Sequence, residues 1–219
     1  MQPTKTKLLD VAERLFGDKG VDATSLRNII SEAGVNLAAV HYHFGSKSGL
    51  IREVLARRIQ PINAERIKKL EECERRNLQG RDLLEGLVKA FLEPVFRSKF
   101  ETPERIKHIQ SIMGQLQFGS GELFESVFHL FDDIFKRFSS AFKKALPGLT
   151  EAELLLRFRL MLGTIYMLVI EPPIKKHPLF SEISELPPDE MLEQVVSFLV
   201  NGFYAGVSKP EIRSANIYE

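Results

Sequence analysis

The stretch TSLRNIISEAGVNLAAVHYHFGSKSGL, from Thr24 to Leu50, decides the fold prediction for this chain of 219 residues. Its apolar residues recur at helical spacing, and Gly34 with Val35 forms a tight turn between two short helices. Gly45 then ends the second of these helices, and Ser46 caps a longer one that follows. Two short helices around a tight turn predict a helix-turn-helix unit, in which Thr24 is the expected N-cap of the first helix.

The second short helix has one face for packing and one for solvent. Val40 and Phe44 are four residues apart, so they point inward together. Small residues on the other face would let the helix enter a DNA major groove, where Ala or Leu can contact a thymine methyl. Hydrogen-bonding groups on this face and at the neighbouring helix starts can bind phosphate. An ordinary three-helix packing unit with no DNA function is the alternative.

The same residues resemble the DNA-binding domain of TetR-family regulators. The motifs are AERLFGDKG at 12–20, TSLRNI at 24–29, AGVN at 33–36, VHYHF at 40–44 and GSKSGL at 45–50. The resemblance implies that the following residues contact DNA: Thr24, Ser25, Arg27, Leu37, Ala38, Ala39, His41, Tyr42 and Lys47. His41 departs from the family pattern, where Tyr or Asn is more usual, and His43 is expected to pack inward.

Composition restricts the class of protein. The net charge is +1, so any DNA affinity has to come from local placement of charge and from dimerisation. Cys73 is the only cysteine, which excludes an internal disulfide, and His41 and His43 are too far apart around a helix to share a metal ion. The longest apolar stretch, 161–170, is about half of a membrane span. We therefore expect a soluble cytoplasmic protein with no cofactor, no metal and no membrane partner.

The rest of the chain predicts further helices, about nine in total, and an all-α fold. We place an N-terminal three-helix helix-turn-helix DNA-binding domain at 1–46 and a C-terminal helical ligand-binding and dimerisation domain at 47–219. A long helix over 47–77 contains Pro61, which should kink it, and its second half carries mixed charges that indicate a solvated face or a lever between the domains. Residues 122–145 are predicted to form one helix, and Pro94 to bend or break another.

The larger domain is rich in phenylalanine, which indicates a packed core or a pocket for an elongated apolar ligand. The expected pocket residues are Phe91, His108, Met113, Gln117, Phe128 and Phe131. The TetR resemblance implies a small hydrophobic effector. A weaker resemblance to the fatty-acid-responsive repressors of that family, in NAER at 63–66, ALPGLT at 145–150 and RLMLG at 159–163, implies an acyl chain as one candidate.

The last two long helices are apolar on more than one side, which predicts either a central position or a subunit interface. The resemblance implies that they form a four-helix bundle with a second copy of the chain. The expected interface residues are Phe158, Leu162, Ile165, Tyr166, Val195, Phe198, Leu199 and Phe203. A purely internal helix pair is the alternative.

Together these patterns predict a ligand-responsive DNA-binding transcriptional regulator. We expect a repressor that binds a near-palindromic double-stranded DNA operator as a homodimer and is released by a hydrophobic effector. A helical lipid- or acyl-binding protein without DNA function is the alternative. An enzyme is not expected, because the sequence has no nucleophile–base pair, glycine-rich phosphate loop or metal-ligand spacing.

Overall fold

The computed structural model describes residues 3–101, 103–117, 122–169, 178, 183 and 185–206, and these residues form helices and connecting turns without a strand. The predicted all-α class is confirmed. The helices are α1 (Pro3–Lys19), α2 (Leu26–Ala33), α3 (Leu37–Phe44), α4 (Lys47–Arg75), α5 (Gly80–Glu101), α6 (Pro103–Gln117), α7 (Glu122–Phe128), α8 (Asp132–Ala145), α9 (Glu151–Val169) and α10 (Pro188–Tyr204). None of them is long and apolar enough to cross a lipid bilayer.

The expectation of one helix over 122–145 is wrong, as is a break at Pro94, whereas a bend at Pro94 stays a prediction. The single helix predicted over 122–145 is divided into α7 and α8 by a 3₁₀ turn at His129–Phe131. In this turn the Leu130 carbonyl accepts a hydrogen bond from Asn63 Nδ2 at 2.9 Å, and His129 Nδ1 lies 2.7 Å from Asp132 Oδ2. These side-chain bonds redirect the backbone. In contrast, α5 continues through Pro94 without a break.

Helices α1 to α4 enclose a small core at the N-terminal end of the molecule, which we call the head. Its fully buried residues include Leu8, Phe16, Ile29 and Val40. Three residues from later helices complete this core: Ile109 and Ile112 of α6, and Val127 of α7. The head therefore packs directly against the larger helical part of the chain.

The larger core lies between α4, α5, α8, α9 and α10, and aromatic rings run through its centre. Phe91 contacts Phe138 and Phe158 edge-to-face, at centroid distances of 4.9 and 5.4 Å. Phe142 stacks on Phe203 at 5.0 Å. Such pairs add about 0.5–1.5 kcal/mol each beyond the burial of their area.

Helix α4 belongs to both cores. Its first half contributes Leu50, Val54 and Leu55 to the head, whereas Leu70 lies in the larger core. The helix runs through Pro61. A domain boundary at 46/47 remains a prediction, and α4 is the element that connects the two cores physically.

Candidate nucleic-acid interface and ligand cavity

Helix α3 is held in a fixed orientation by local caps on both sides of the turn. Gly34 adopts a left-handed conformation (φ 60°), which a glycine accepts without a steric penalty, and it ends α2. Asn36 then caps α3 by accepting a hydrogen bond from the Ala39 amide at 3.0 Å. Val40 is fully buried. The sequence-predicted inward and outward faces of α3 are those of the structure.

The outer face of α3 is largely exposed to solvent. The Tyr42 side chain is 80% exposed and Leu37 is 43% exposed. Ala38 and His41 are exposed as well, and Ala39 is half-buried. The face therefore has the small side chains of Ala38 and Ala39 near its start and the hydrogen-bonding rings of His41 and Tyr42 near its end. Such a surface can lie flat in a DNA groove.

His41 uses one of its ring nitrogens inside the head. Its Nδ1 lies 2.9 Å from the Gly45 carbonyl, which can only accept a hydrogen bond, so Nδ1 must carry a proton. In the neutral ring Nε2 is then an acceptor that faces outward. His41 can accordingly give a proton to a phosphate only when the ring is charged. His43 is half-buried, and its ring centroid lies 4.9 Å from that of Tyr42.

The start of α4 lies beside this face. Ser46 caps the helix by accepting from the Gly49 amide at 3.0 Å, and Lys47 is the first helical residue. Lys47 is half-buried and makes no ion pair with a described residue. A lysine at a helix N-terminus is a suitable phosphate ligand, since the backbone amides there carry partial positive charge.

The structure at the start of α2 contradicts the prediction that Thr24 contacts DNA and caps this helix. Thr24 is 1% exposed, and its hydroxyl donates to the carbonyls of Leu15 and Gly20, at 3.1 and 2.7 Å. Its side chain therefore fastens α2 to α1 and is not available to DNA. Ser25 is the N-cap in its place, in a reciprocal capping box with Asn28. Ser25 and Arg27 are both exposed.

A cavity of about 480 Å³ lies between α4, α5, α6, α7, α8 and α9. Four of the expected pocket residues line it: Phe91, Met113, Phe128 and Phe131. The other lining residues are Arg66, Leu116, Phe124, Val127, Phe135, Arg159, Leu162, Gly163 and Ile165. Its volume is within the range of about 300–1,000 Å³ that is typical of small-molecule sites.

One of the expected pocket residues does not line this cavity. His108 packs on Gly17 of α1, and its Nε2 lies 3.1 Å from Asp18 Oδ1, so its assignment to the pocket is wrong. Helix α6 turns this side chain toward the head because His108 and Met113 are five residues apart and therefore lie on different faces. The side chain of Gln117 is outside the described part of the chain.

Helix α6 thus contacts the cavity on one side and the head on the other. Met113 and Leu116 line the cavity. On the opposite side, Ser111 Oγ donates to the Gly17 carbonyl at 3.1 Å, and Gln115 Oε1 accepts from the Val21 amide at 2.8 Å. A change in the cavity that moves α6 must therefore strain or break bonds to the end of α1.

Among the described residues that line the cavity, Arg66 of α4 is both charged and buried. The prediction that the charged second half of α4 faces solvent is therefore wrong for this residue. It is 4% exposed, with Nε donating to the Phe91 carbonyl at 2.8 Å and Nη1 to Asn63 Oδ1 at 3.1 Å. Its guanidinium carbon lies 4.3 Å from the centre of the Phe91 ring. Burial lowers the pKa of Arg66 to about 10.

An apolar groove covers the outside of α9 and α10. Leu156, Leu160, Met167 and Phe198 line it, with exposed fractions of 58, 62, 50 and 71%. Val195 lines the same groove. Arg159 and Gly163 border both this groove and the internal cavity. The groove is a large exposed apolar surface of the kind that marks an interaction site.

The expected interface residues are only partly on this surface. Phe158, Leu199 and Phe203 are 6, 5 and 2% exposed in the core of the same chain, so they cannot meet a partner. Leu162 and Ile165 face the internal cavity. Phe198 and Val195 do lie on the surface, and the side chain of Tyr166 is outside the described residues. The error is one of helical register on both α9 and α10, because each of these helices has apolar residues on more than one side.

Comparison with known protein families and relatives agrees with this architecture. The family model for bacterial regulatory proteins of the tetR family matches residues 8–54, and a model for a tetracyclin repressor-like C-terminal domain matches residues 89–202. The transcriptional repressor KstR2 of Rhodococcus jostii is 30% identical over 108 residues, which is 48% of this chain and 51% of KstR2. The regulator AcrR of Shigella flexneri is 47% identical over 53 residues, 24% of this chain and 25% of AcrR. The alignments thus span about half or less of these relatives.

Solved structures show the same fold over most of the chain. The fatty acid degradation regulator FadR from Bacillus halodurans superposes with a TM-score of 0.66 at 11% identity, covering 92% of this chain and 97% of FadR. A tetR family transcription regulator from Shewanella superposes with a TM-score of 0.64 at 15% identity, covering 92% and 98%. At such identities the likeness concerns the fold alone.

Proposed function

Because the chain belongs to the tetR family of bacterial regulatory proteins, we propose that it is a transcriptional repressor that binds a near-palindromic DNA operator as a homodimer. The observation that carries this proposal is the outer face of α3. Tyr42 is 80% exposed there, two positions from a Val40 that is fully buried. A short helix so firmly anchored, with an outer face that is largely exposed to solvent, suits insertion into a major groove.

The roles of the DNA-contacting residues follow from their positions. Leu37, Ala38 and Ala39 are short enough to bring the α3 backbone close to the base edges. Tyr42, Lys47, Ser25 and Arg27 are placed at the sides of the groove, where phosphate contacts fix register. His41, with Nε2 as an outward acceptor, suits the amino group of cytosine or adenine better than a phosphate.

The groove on α9 and α10 is the proposed dimer surface. The family's members bind DNA and usually act as dimers, and the interface we propose is centred on Leu156, Leu160, Met167 and Phe198. In a dimer built across this groove two copies of α3 would face the same side of a duplex, and their separation would set the half-site spacing.

The internal cavity is the proposed effector site, and α4 and α6 are the proposed links to the head. Helix α4 carries Arg66 at the cavity and Lys47 at the DNA surface. Helix α6 contacts the cavity through Met113 and the head through Ser111. A ligand that binds one arrangement of these helices better than another shifts the spacing of the two α3 helices and so changes operator affinity.

A ligand-binding protein without DNA function is the second candidate, and the cavity is the observation that favours it. The two candidates differ in what they predict for Lys47. A DNA-binding protein uses Lys47 to neutralise a phosphate, so affinity depends on salt through the release of counterions. A ligand carrier has no use for a cation at that position.

Selection of bound sequences from a random pool of duplexes, followed by titration of the selected duplex, tests the proposal. We expect a near-palindrome. Lys47→Ala should weaken binding and reduce the slope of log affinity against log salt by about 1 for each subunit. Lys68→Ala is the matched control, because Lys68 is an exposed lysine about 30 Å further along α4. Equal effects of the two variants, or a pool without enrichment, would contradict DNA recognition by this surface.

A further inference from the structure

The buried guanidinium of Arg66 has no carboxylate partner among the residues that the structure describes. Its hydrogen-bond partners are the Phe91 carbonyl and the Asn63 amide oxygen, both of them neutral. No ion pair joins it to any acidic side chain that the structure describes. A buried charge is ordinarily paired, because its desolvation costs several kcal/mol even after the protein relaxes around it.

The bonds that Arg66 does make leave most of its donors unused. A guanidinium has five N–H groups, and the two bonds to Phe91 and Asn63 use one on Nε and one on Nη1. Nη2 donates to no residue in the described part of the chain. The face of the Phe91 ring offers partial compensation for the charge. Because Arg66 also lines the cavity, the unused donors are available to a molecule inside it.

The other residues of the cavity wall indicate the charge and the polarity of such a molecule. Arg159 is the other charged residue of the wall; it is exposed, and no described residue pairs with it. Every other lining residue is apolar, and five of them are phenylalanines. No acidic side chain is among the lining residues that the structure describes, so this part of the wall carries an uncompensated positive charge in apolar surroundings, where electrostatic attraction is strongest.

We propose that the cavity binds a single-chain amphiphile with an oxyanion head group, a carboxylate or a phosphate, with the head at Arg66 and the chain among the phenylalanines. This inference rests on the proposed function, in which the cavity is the effector site, and it specifies the effector's chemistry. Arg66 is the anchor and not Arg159, since an exposed arginine gains little from pairing in water. A planar oxyanion also matches the fork of the unused guanidinium donors.

Calorimetric titration of the purified full-length chain, without DNA, tests the proposal with three probes of equal chain length. Dodecanoate and dodecyl phosphate carry the two head groups, and 1-dodecanol has a neutral one. We expect at least one anion to bind about 10- to 100-fold more tightly than the alcohol, as a hydrogen bond to a buried charge implies. The stronger of the two anions identifies the head group.

Variants at Arg66 and Arg159 show which of these two arginines causes the preference for anions over 1-dodecanol. Arg66→Met should abolish the preference for the anions while 1-dodecanol still binds. Arg66→Lys should retain part of it, because a charge remains without the forked geometry. Arg159→Gln is the control and should retain most of it. If Arg66→Met does not fold, the comparison of anion with alcohol in the unmodified chain still decides.

Equal binding of anions and alcohol, no binding of any of the three probes, or a preference that persists in Arg66→Met would each overturn the proposal. These outcomes are independent of operator binding, which is measured separately with DNA. Failure to select an operator would contradict the proposed function and leave the calorimetric result unchanged.

Discussion

Helix α4 contributes to two sites that contain a buried charged residue, and these sites differ in whether an opposite charge pairs with it. The first site is the contact between α1 and α4, which we call the joint. Here Glu13 of α1 is 4% exposed and lies between Arg57 and Arg58 of α4. Arg58 binds it through Nε at 3.1 Å and Nη2 at 3.0 Å, while Arg57 binds both Glu13 and Asp10. At the cavity, Arg66 is equally buried and has neutral partners only.

The pKa values of the arginines record this difference. Burial by itself lowers the pKa of Arg57, but hydrogen bonds and charge attraction from Glu13 and Asp10 outweigh it and raise the pKa above its ordinary value. For Arg66 burial acts unopposed, and the pKa falls to about 10. At the joint the acids of the chain pair with the arginines, although Arg57 Nε is buried without a hydrogen-bond partner. At the cavity no acid among the described residues pairs with Arg66.

The largest expected effect is at the joint. Glu13→Gln leaves Arg58 without a counter-charge and Arg57 with the exposed Asp10 alone, which should lower the free energy of unfolding by about 3 kcal/mol. Urea denaturation at fixed protein concentration measures this. The control is Glu65→Gln, because Glu65 pairs with Arg97 at the surface and its loss should cost less than about 1 kcal/mol. A similar loss in both variants would remove the distinction between a closed joint and an ordinary surface pair.

Packing gives a second way to sharpen the comparison. A Cβ added at Gly17 would lie 2.6 Å from His108 Cβ at the contact of α1 with α6, whereas one added at Gly202 of α10 would meet no atom within 4 Å. We expect Gly17→Ala to be less stable than Gly202→Ala by about 2 kcal/mol, since overpacking is costly and both glycines lie two residues before the end of a helix. Thermal and urea denaturation of the two variants would show the difference; equal stabilities would mean that α6 moves away from α1 easily.

Alkaline pH should affect the two sites differently. Because the pKa of Arg66 is about 10 in the folded chain and higher in the unfolded chain, the unfolded state binds more protons above pH 10, and stability must rise with pH there. Relative to Arg66→Met, the unmodified chain should gain on the order of 1 kcal/mol between pH 8 and pH 11. Urea titrations of both proteins at the two pH values measure this gain. A constant difference would mean that Arg66 keeps its proton throughout.

The smallest expected effect is the most direct test of the contrast. Arg66→Met removes two hydrogen bonds but also a buried charge without a counter-ion, and we expect the unfolding free energy to change by less than about 1 kcal/mol. Its measurement beside Glu13→Gln uses the same urea titration. A loss as large as that of Glu13→Gln would identify Arg66 as a structural fastener between α4 and α5, and the cavity would then need no anion to complete it.

The sequence predicts the head well because its signals are local. Gly34, Asn36 and the four-residue spacing of Val40 and Phe44 define a turn, a cap and an inward face within a dozen residues. Even there, the prediction that Thr24 contacts DNA is wrong. A threonine before a helix serves equally well as a cap or as a buried link to the preceding helix, and the choice depends on where α1 ends in space.

The sequence predicts the cavity and the outer groove less well because their signals are long-range. Arg66 lies in a run of charges, and its burial depends on α5 and on the turn at Leu130, which are distant in sequence. On α9 more than one face is apolar, so periodicity cannot distinguish the face that contains Phe158 from the one that contains Leu160. That no described acid pairs with Arg66 is likewise a property of the assembled helices.

Arg159 and Gly163 border the internal cavity on one side and the outer groove on the other. A single helix wall therefore separates what a guest molecule touches from what a neighbouring subunit would touch. Thermodynamic reciprocity then applies: if occupancy of the inside alters subunit affinity, dilution of the subunits must alter occupancy by the same factor. The apparent potency of an inducer on such a protein would depend on how much of the protein the cell makes.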